Sequence, residues 1–226
     1  LLLSDPDSAT RFRDLACVVV DEWHELLGSK RGVQLELCLA HLRRCAPRMR
    51  TWGLSATLGN LEEARDVLTG QPGDGVLIRG PEPRRVGVDS IRPERIERFP
   101  WAGHLGTRLV GPVLAALDRA GTSLLFTNTR SQAERWHQAL LEARPDWFDQ
   151  IALHHGSLDR AVREQVESML RAGSIRCVVA TSSLDLGVDF SPVDQVLQVG
   201  SPKGVARLVQ RAGRSGHQPN GVSAVV

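Results

Sequence analysis

The apolar pattern of the chain predicts an α/β fold of parallel sheets in two successive domains, and three observations carry that reading. Short aliphatic runs such as Cys17-Val18-Val19-Val20 stop abruptly at polar residues, as buried parallel strands do at a sheet's carboxyl edge. These runs alternate with longer segments of helical period, the spacing of right-handed strand-helix-strand crossovers. The alternation breaks once, where Gly70, Pro72, Gly73, Gly75, Gly80, Pro81, Pro83, Pro93 and Pro100 punctuate the chain, and then restarts. The expected domains are residues 1–80, a first domain; 81–100, a connector; and 101–226, a second domain.

Composition bounds the possibilities. The 226 residues suffice for one large or two small cores, and 42% hydrophobic with 24% charged residues is ordinary globular usage. With 28 basic against 26 acidic side chains, any basic surface must be local. Cys17, Cys38, Cys45 and Cys177 form no C-x-x-C pair, and Cys17 and Cys177 lie in apolar runs, so buried thiols and a reducing compartment are expected. No apolar run approaches the ~20 residues of a membrane span, which excludes that class and predicts a soluble, cytoplasmic protein.

In order along the chain, Ser4-Asp5-Pro6-Asp7-Ser8 suits a helix start or loop before the first strand. The strand at Cys17 ends on Asp21-Glu22-Trp23-His24. Adjacent carboxylates at a strand end suit Mg²⁺ and an attacking water; the plainer alternative is solvated acids. Residues 33–44 suggest a helix, although early alternation also permits a strand. Gly28-Ser29-Lys30 lacks the G-K-[ST] ending of a phosphate loop and reads as an ordinary loop. Residues 49–55 form a second strand, followed by Ser55-Ala56-Thr57 and a helix over 61–68 that Asn60 can cap. Val76-Leu77-Ile78 is expected as a last edge strand.

The second half predicts helices at 109–120, 131–143, 159–172 and 205–212, and strands at 123–126, 151–153, 175–180 and 193–199. Polar groups recur at strand exits: Asn128, Thr129 and Arg130; His155, Gly156 and Ser157; Thr181, Ser182 and Ser183. On one sheet edge such a row can hold successive phosphates of a single strand without reading bases. Singly, each reads first as a helix cap or loop residue; their recurrence after three strands favours function. Gln210-Arg211-Ala212-Gly213-Arg214-Ser215-Gly216-His217 places two arginines three apart, on one helical face, where they could clamp a γ-phosphate or simply complement a helix end.

The stretches Asp21 to His24, Ser55 to Thr57, 124–130, 180–190 and 210–217 stand in the order and spacing of motifs II to VI of superfamily 2 DExH-box helicases, a resemblance spanning nearly the whole chain. Asp21-Glu22-Trp23-His24-Glu25-Leu26-Leu27-Gly28-Ser29-Lys30-Arg31-Gly32, Leu54-Ser55-Ala56-Thr57-Leu58-Gly59-Asn60-Leu61 and Phe99-Pro100-Trp101-Ala102-Gly103-His104 most resemble the Lhr-like (large helicase-related) group, the bacterial ligase-associated DEXH-box helicases in particular.

The resemblance implies two RecA-like domains, the first only partial, with ATP and Mg²⁺ in their cleft. It also implies ATP-driven 3′-to-5′ movement on single-stranded DNA, DNA-repair enzymes as partners, and a bacterial, nucleoid-associated location. By position, Asp21 is implied to hold Mg²⁺ through water, Glu22 to activate the attacking water, and His24 and Gln210 to couple hydrolysis to closure, with Ser55 and Thr57 relaying it. Arg211 and Arg214 are the implied arginine fingers, and Gly187 and Asp189 approach the nucleotide. Asn128, Thr129, Arg130, His155, Gly156, Ser157 and Thr181 hold the nucleic-acid backbone. Trp23 and Trp101 are expected to pack. No G-x-x-x-x-G-K-[ST] occurs anywhere. With motif II so near residue 1 and no initial Met, a fragment of a longer parent, inactive alone, is expected. The competing readings are a non-hydrolysing nucleic-acid-binding module, and a helicase whose track is RNA or an RNA–DNA hybrid.

Overall fold

The computed structural model describes residues 2–55, 58–80, 86–92, 109–185, 193–202, 204–215 and 223–225. It divides into two compact units, residues 1–82 and 83–226.

The first unit contains α1 (Ser8–Phe12), β1 (Cys17–Val20), α2 (Trp23–Leu26), α3 (Lys30–Cys45), β2 (Arg50–Gly53) and α4 (Leu61–Thr69). β1 and β2 pair in parallel, Cys17 opposite Arg50 through Val20 opposite Gly53. Gly28-Ser29-Lys30 starts α3, with the Ser29 hydroxyl accepting from the Gly32 amide. α4 begins with a reciprocal cap: Asn60 Oδ1 accepts from the Glu63 amide while Asn60 Nδ2 donates to the Glu63 carboxylate at 2.8 Å. Left-handed Gly70 (φ 73°) ends it. The core is Val20, Trp23, Leu39, Ala64 and Leu68.

Two expectations are corrected in this unit. β1 is buried on one face only: Val20 is covered, whereas Cys17 is exposed and Val19 is 56% exposed, as is its partner Trp52 at 60%. Alternate residues of a strand face opposite sides, and α3 and α4 pack only against the side bearing Val18 and Val20. Residues 76–78 form no strand; Val76 and Ile78 are 86% and 91% exposed. Their aliphatic character suits a strand, but a strand requires a neighbour to pair with.

The second unit contains β3 (Val86–Val88), α5 (Val110–Asp118), β4 (Ser123–Phe126), α6 (Arg130–Ala143), β5 (Ile151–His154), α7 (Arg160–Ala172), β6 (Cys177–Ala180), β7 (Gln195–Gln198), α8 (Val205–Ala212) and β8 (Ser223–Val225). Its sheet is parallel, in the order β3-β8-β7-β4-β6-β5. β4 and β6 are buried at every position, as central strands covered on both faces are. Leu125, Cys177, Val179 and Leu197 meet Val113, Leu117, Trp136 and Leu140 of α5 and α6. Leu124, Phe126, Val178 and Val196 point the other way, to Val166 and Leu170 of α7. Val86–Val88, expected in the connector, is instead a strand of this sheet. Three residues suffice at an edge, where only one side of the ladder must be matched.

Candidate functional site

In the first unit the carboxylates are presented by a strained turn. Val20 ends β1, its carbonyl accepting from the Leu54 amide, and Trp23 opens α2 by donating its amide to the Leu54 carbonyl at 2.9 Å. Glu22, caught between these anchors, adopts the left-handed region (φ 50°, ψ 42°), the one non-glycine residue to do so among those described. Such a conformation costs about 1–3 kcal/mol in a residue with a β-carbon and persists only where neighbours impose it. The Glu22 amide is turned onto Asp21 Oδ1 at 2.8 Å. Trp23 is the anchor: its side chain is buried and its indole N–H donates to the Ala64 carbonyl at 3.0 Å, fixing the turn to α4.

His24 and Ser55 come together. The ring Nδ1 lies 3.0 Å from Ser55 Oγ and 3.6 Å from Glu22 Oε2, and the ring is almost enclosed. Its Nε2 is buried without a hydrogen-bond partner among the described residues, 3.9 Å from the Glu25 carboxylate. Thr57 lies outside the described residues. Asp21 and Glu22 offer hard oxygens at a strand end, and Mg²⁺ characteristically takes one or two carboxylates with several waters and substrate phosphates, so the donor set fits.

In the second unit the strand register sets the polar row. Phe126 and His154 both pair with Ala180, so the exits of β4, β5 and β6 share one edge. There Arg130 Nη1 donates to Ser157 Oγ at 3.1 Å, and the Ser157 amide donates to His155 Nδ1 at 3.3 Å. His155 is buried with its Nε2 3.4 Å from Glu134. Gly156 is exposed with open space about it. Thr181 is half-buried, its amide on the His154 carbonyl. Thr129 has a local task, accepting from the Gln132 amide as the cap of α6, and Asn128 donates to the Ser201 carbonyl at 2.9 Å. Ser183, counted with the row in the sequence, is bonded instead to His154.

The two arginines of α8 and its exit differ in kind. Arg211 is 2% exposed; its Nε and Nη2 donate to the two Asp185 oxygens at 2.7 and 3.0 Å, Nη1 donates to Gln198, and the guanidinium lies 4.3 Å over the Phe126 ring. A guanidinium so engaged is held by the protein. Arg214 is half-buried and donates Nη2 to the Asp185 carbonyl at 2.7 Å. Arg207 Nε adds a third contact, 3.5 Å from Asp185 Oδ2. Gln210 Oε1 is buried without a hydrogen-bond partner among the described residues. Gly187 and Asp189 lie outside the described residues.

Three residues central to this arrangement escaped the sequence reading: His154, Asp185 and Gln198. A buried arginine requires a carboxylate partner, but the sequence shows neither the burial nor the pairing.

Residues 2–64 match the DEAD/DEAH box helicase family, and residues 109–218 match the helicase conserved C-terminal domain. The ATP-dependent helicase Lhr-Core protein 2 of Thermococcus barophilus is 36% identical over 99% of this chain and 26% of its own length. The Lhr helicase/uracil glycosylase of Escherichia coli is 33% identical over 93% of the chain and 16% of its own length. Mycobacterium smegmatis helicase Lhr, solved bound to single-stranded DNA and AMP-PNP, superposes with a TM-score of 0.82 at 32% identity, covering the whole chain and 30% of that structure. The chain thus spans about a quarter or less of the length of these curated relatives.

Proposed function

The chain belongs to the Lhr-like group of superfamily 2 helicases, with RecA-like α/β units, and from that premise we propose that it is one portion of an ATP-driven motor moving 3′-to-5′ on single-stranded DNA in DNA repair. In this reading DNA-repair enzymes are its partners and the cytoplasm its location; no helix of the described residues is long and apolar enough to cross a membrane. The single-stranded DNA and nucleotide analogue bound by the mycobacterial relative support the choice of track and fuel.

Bound Mg²⁺-ATP supplies a phosphoanhydride bond and a cation that offsets its charge. Asp21 is the residue to hold that cation through water, and Glu22 the one to accept the proton of the attacking water. Arg214 stabilises charge that develops on the phosphoryl group, while Arg211 holds the loop that presents it. Arg130, Ser157 and Thr181 take the backbone phosphates. The observation that carries the reading is the strained Glu22 beside the His24 to Ser55 contact at 3.0 Å. A module that only binds has no physical need for a carboxylate held at such cost.

The test is a full-length protein that includes a phosphate-cradling loop, which this chain lacks. Glu22→Gln is expected to bind ATP and single-stranded DNA and to abolish turnover, measured by phosphate release. Equal turnover in this variant rejects Glu22 as the group that activates the attacking water, absence of strand-stimulated turnover in the unsubstituted full-length protein rejects the motor assignment, and a preference for RNA or an RNA–DNA hybrid in competition rejects the DNA track. The 226-residue chain by itself is expected to show no strand-stimulated turnover.

A further inference from the structure

His154 is not among the residues given a role so far, yet it is buried in the one place where two of the polar loops meet. It ends β5, paired with Ala180 of β6, and is 1% exposed. Its Nε2 lies 3.3 Å from Glu167 Oε1 of α7, and its Nδ1 lies 2.8 Å from Ser183 Oγ. The Ser183 hydroxyl is also 2.9 Å from the His154 carbonyl, and that same carbonyl accepts from the Thr181 amide. Since a carboxylate only accepts, Nε2 carries a hydrogen toward Glu167; the single hydroxyl hydrogen of Ser183 then serves either Nδ1 or the carbonyl. An aliphatic side chain would fill this strand end without the cost of burying an imidazole.

The neighbours of Ser183 give the contact its meaning. Ser182–Leu184 is a single 3₁₀ turn, clamped by buried Leu184 and by the Asp185 amide on the Ser182 carbonyl. Its next residue, Asp185, holds Arg211 through its carboxylate and Arg214 through its carbonyl. On the other side, the residue after His154 is His155, whose ring receives the Ser157 amide beside Arg130. One imidazole therefore stands between the loop that meets the strand and the short turn that sets the arginines.

We propose that His154 is a positioning residue that transmits strand binding at the β5 exit to the arginines of α8 through Ser183 and Asp185. This rests on the motor function proposed for the chain. His154 touches neither strand nor nucleotide; it makes the β5 and β6 exits move as one.

Two substitutions separate the halves of the contact. Asparagine places its amide near the position of Nδ1 and can keep the Ser183 bond; glutamine reaches the position of Nε2 and keeps Glu167 alone. In the full-length protein, His154→Gln is expected to lower strand-stimulated ATP turnover at least ~10-fold, with unstimulated turnover, melting temperature and strand affinity little changed. His154→Asn is expected to keep at least half of the stimulation. Ser183→Ala should lose stimulation as His154→Gln does, and the double variant should lose no more than either, the non-additivity of one shared path. Stimulation retained in both His154→Gln and Ser183→Ala overturns the proposal. So does a loss shared by His154→Asn that follows the folded fraction, since that is a packing role. If the unsubstituted protein shows no strand-stimulated turnover, the motor reading itself falls and this one with it.

Discussion

Arg211 and Arg214, three apart in one motif, separate most clearly at the level of single side chains. Arg211→Ala strips a buried carboxylate of its bidentate partner, leaving only the longer Arg207 contact among those described, and is expected to cost about 3–5 kcal/mol in a denaturation measurement. Arg214→Ala should leave stability nearly intact while lowering turnover of the full-length protein by at least ~10²-fold, because the role proposed for it is in the transition state. Arg214→Lys should rescue poorly, having lost the planar fork. Equal stability losses for both arginines would show that Arg214 too is structural. Titration adds an independent check. Burial holds His154 below the ordinary 6.5 against the opposing pull of Glu167, and burial likewise lowers His137 against a hydrogen bond with Ile151. A folded state that disfavours the proton gains stability above the unfolded value and loses it as pH falls through the folded ones. Melting temperature should therefore drop as pH is lowered from 6.5, and less steeply in His154→Asn. The sequence made Glu22, Arg211 and Arg214 visible through spacing, but not which arginine is committed to the fold. That depends on Asp185, which lies 26 positions before Arg211 and meets it only once β6 and α8 are assembled.

At the level of elements, α4, α6 and α7 and strands β4 to β7 were legible because apolar period and capping residues agree, as at Asn60, Thr129 and Gly173. Legibility failed where pairing rather than propensity decides. Val76-Leu77-Ile78 has strand character and no strand, while Val86–Val88, interrupted by a glycine, pairs with Ser223–Val225. Gly32 shows a related long-range constraint. It sits in the first turn of α3, where a β-carbon would overlap the Leu26 carbonyl, so alanine's helix propensity is of no help. Gly32→Ala is expected to destabilise the first unit by about 1–3 kcal/mol, the range for overpacking, whereas Gly111→Ala in α5, with open space around it, should be neutral or stabilising. A Gly32→Ala melting temperature at or above that of the parent would mean the α2 to α3 junction relaxes freely.

Across the 226 residues, charge is nearly balanced at +2, so the proposed binding of a strand rests on local groups such as those at the β4 to β6 edge rather than on a general field. Single-stranded DNA binding by the full-length protein should be insensitive to base sequence and weaken steadily with salt, and Arg130→Ala should reduce the slope by roughly one. A sequence preference above about tenfold, roughly 1.4 kcal/mol, would require base readout that this edge does not provide. The bare side of the β1 and β2 pair bears on something other than catalysis. Val19 and Trp52 stand opposite each other there, more than half exposed. A short parallel ribbon with an oily face is a ready template for a second copy of itself. Prepared as this 226-residue polypeptide, the protein should scatter light increasingly with concentration, and Trp52→Lys should restore clear solutions without touching any group proposed to handle phosphate; the turbidity of a stock tube would then be governed by the side of β1 opposite the one that positions Glu22.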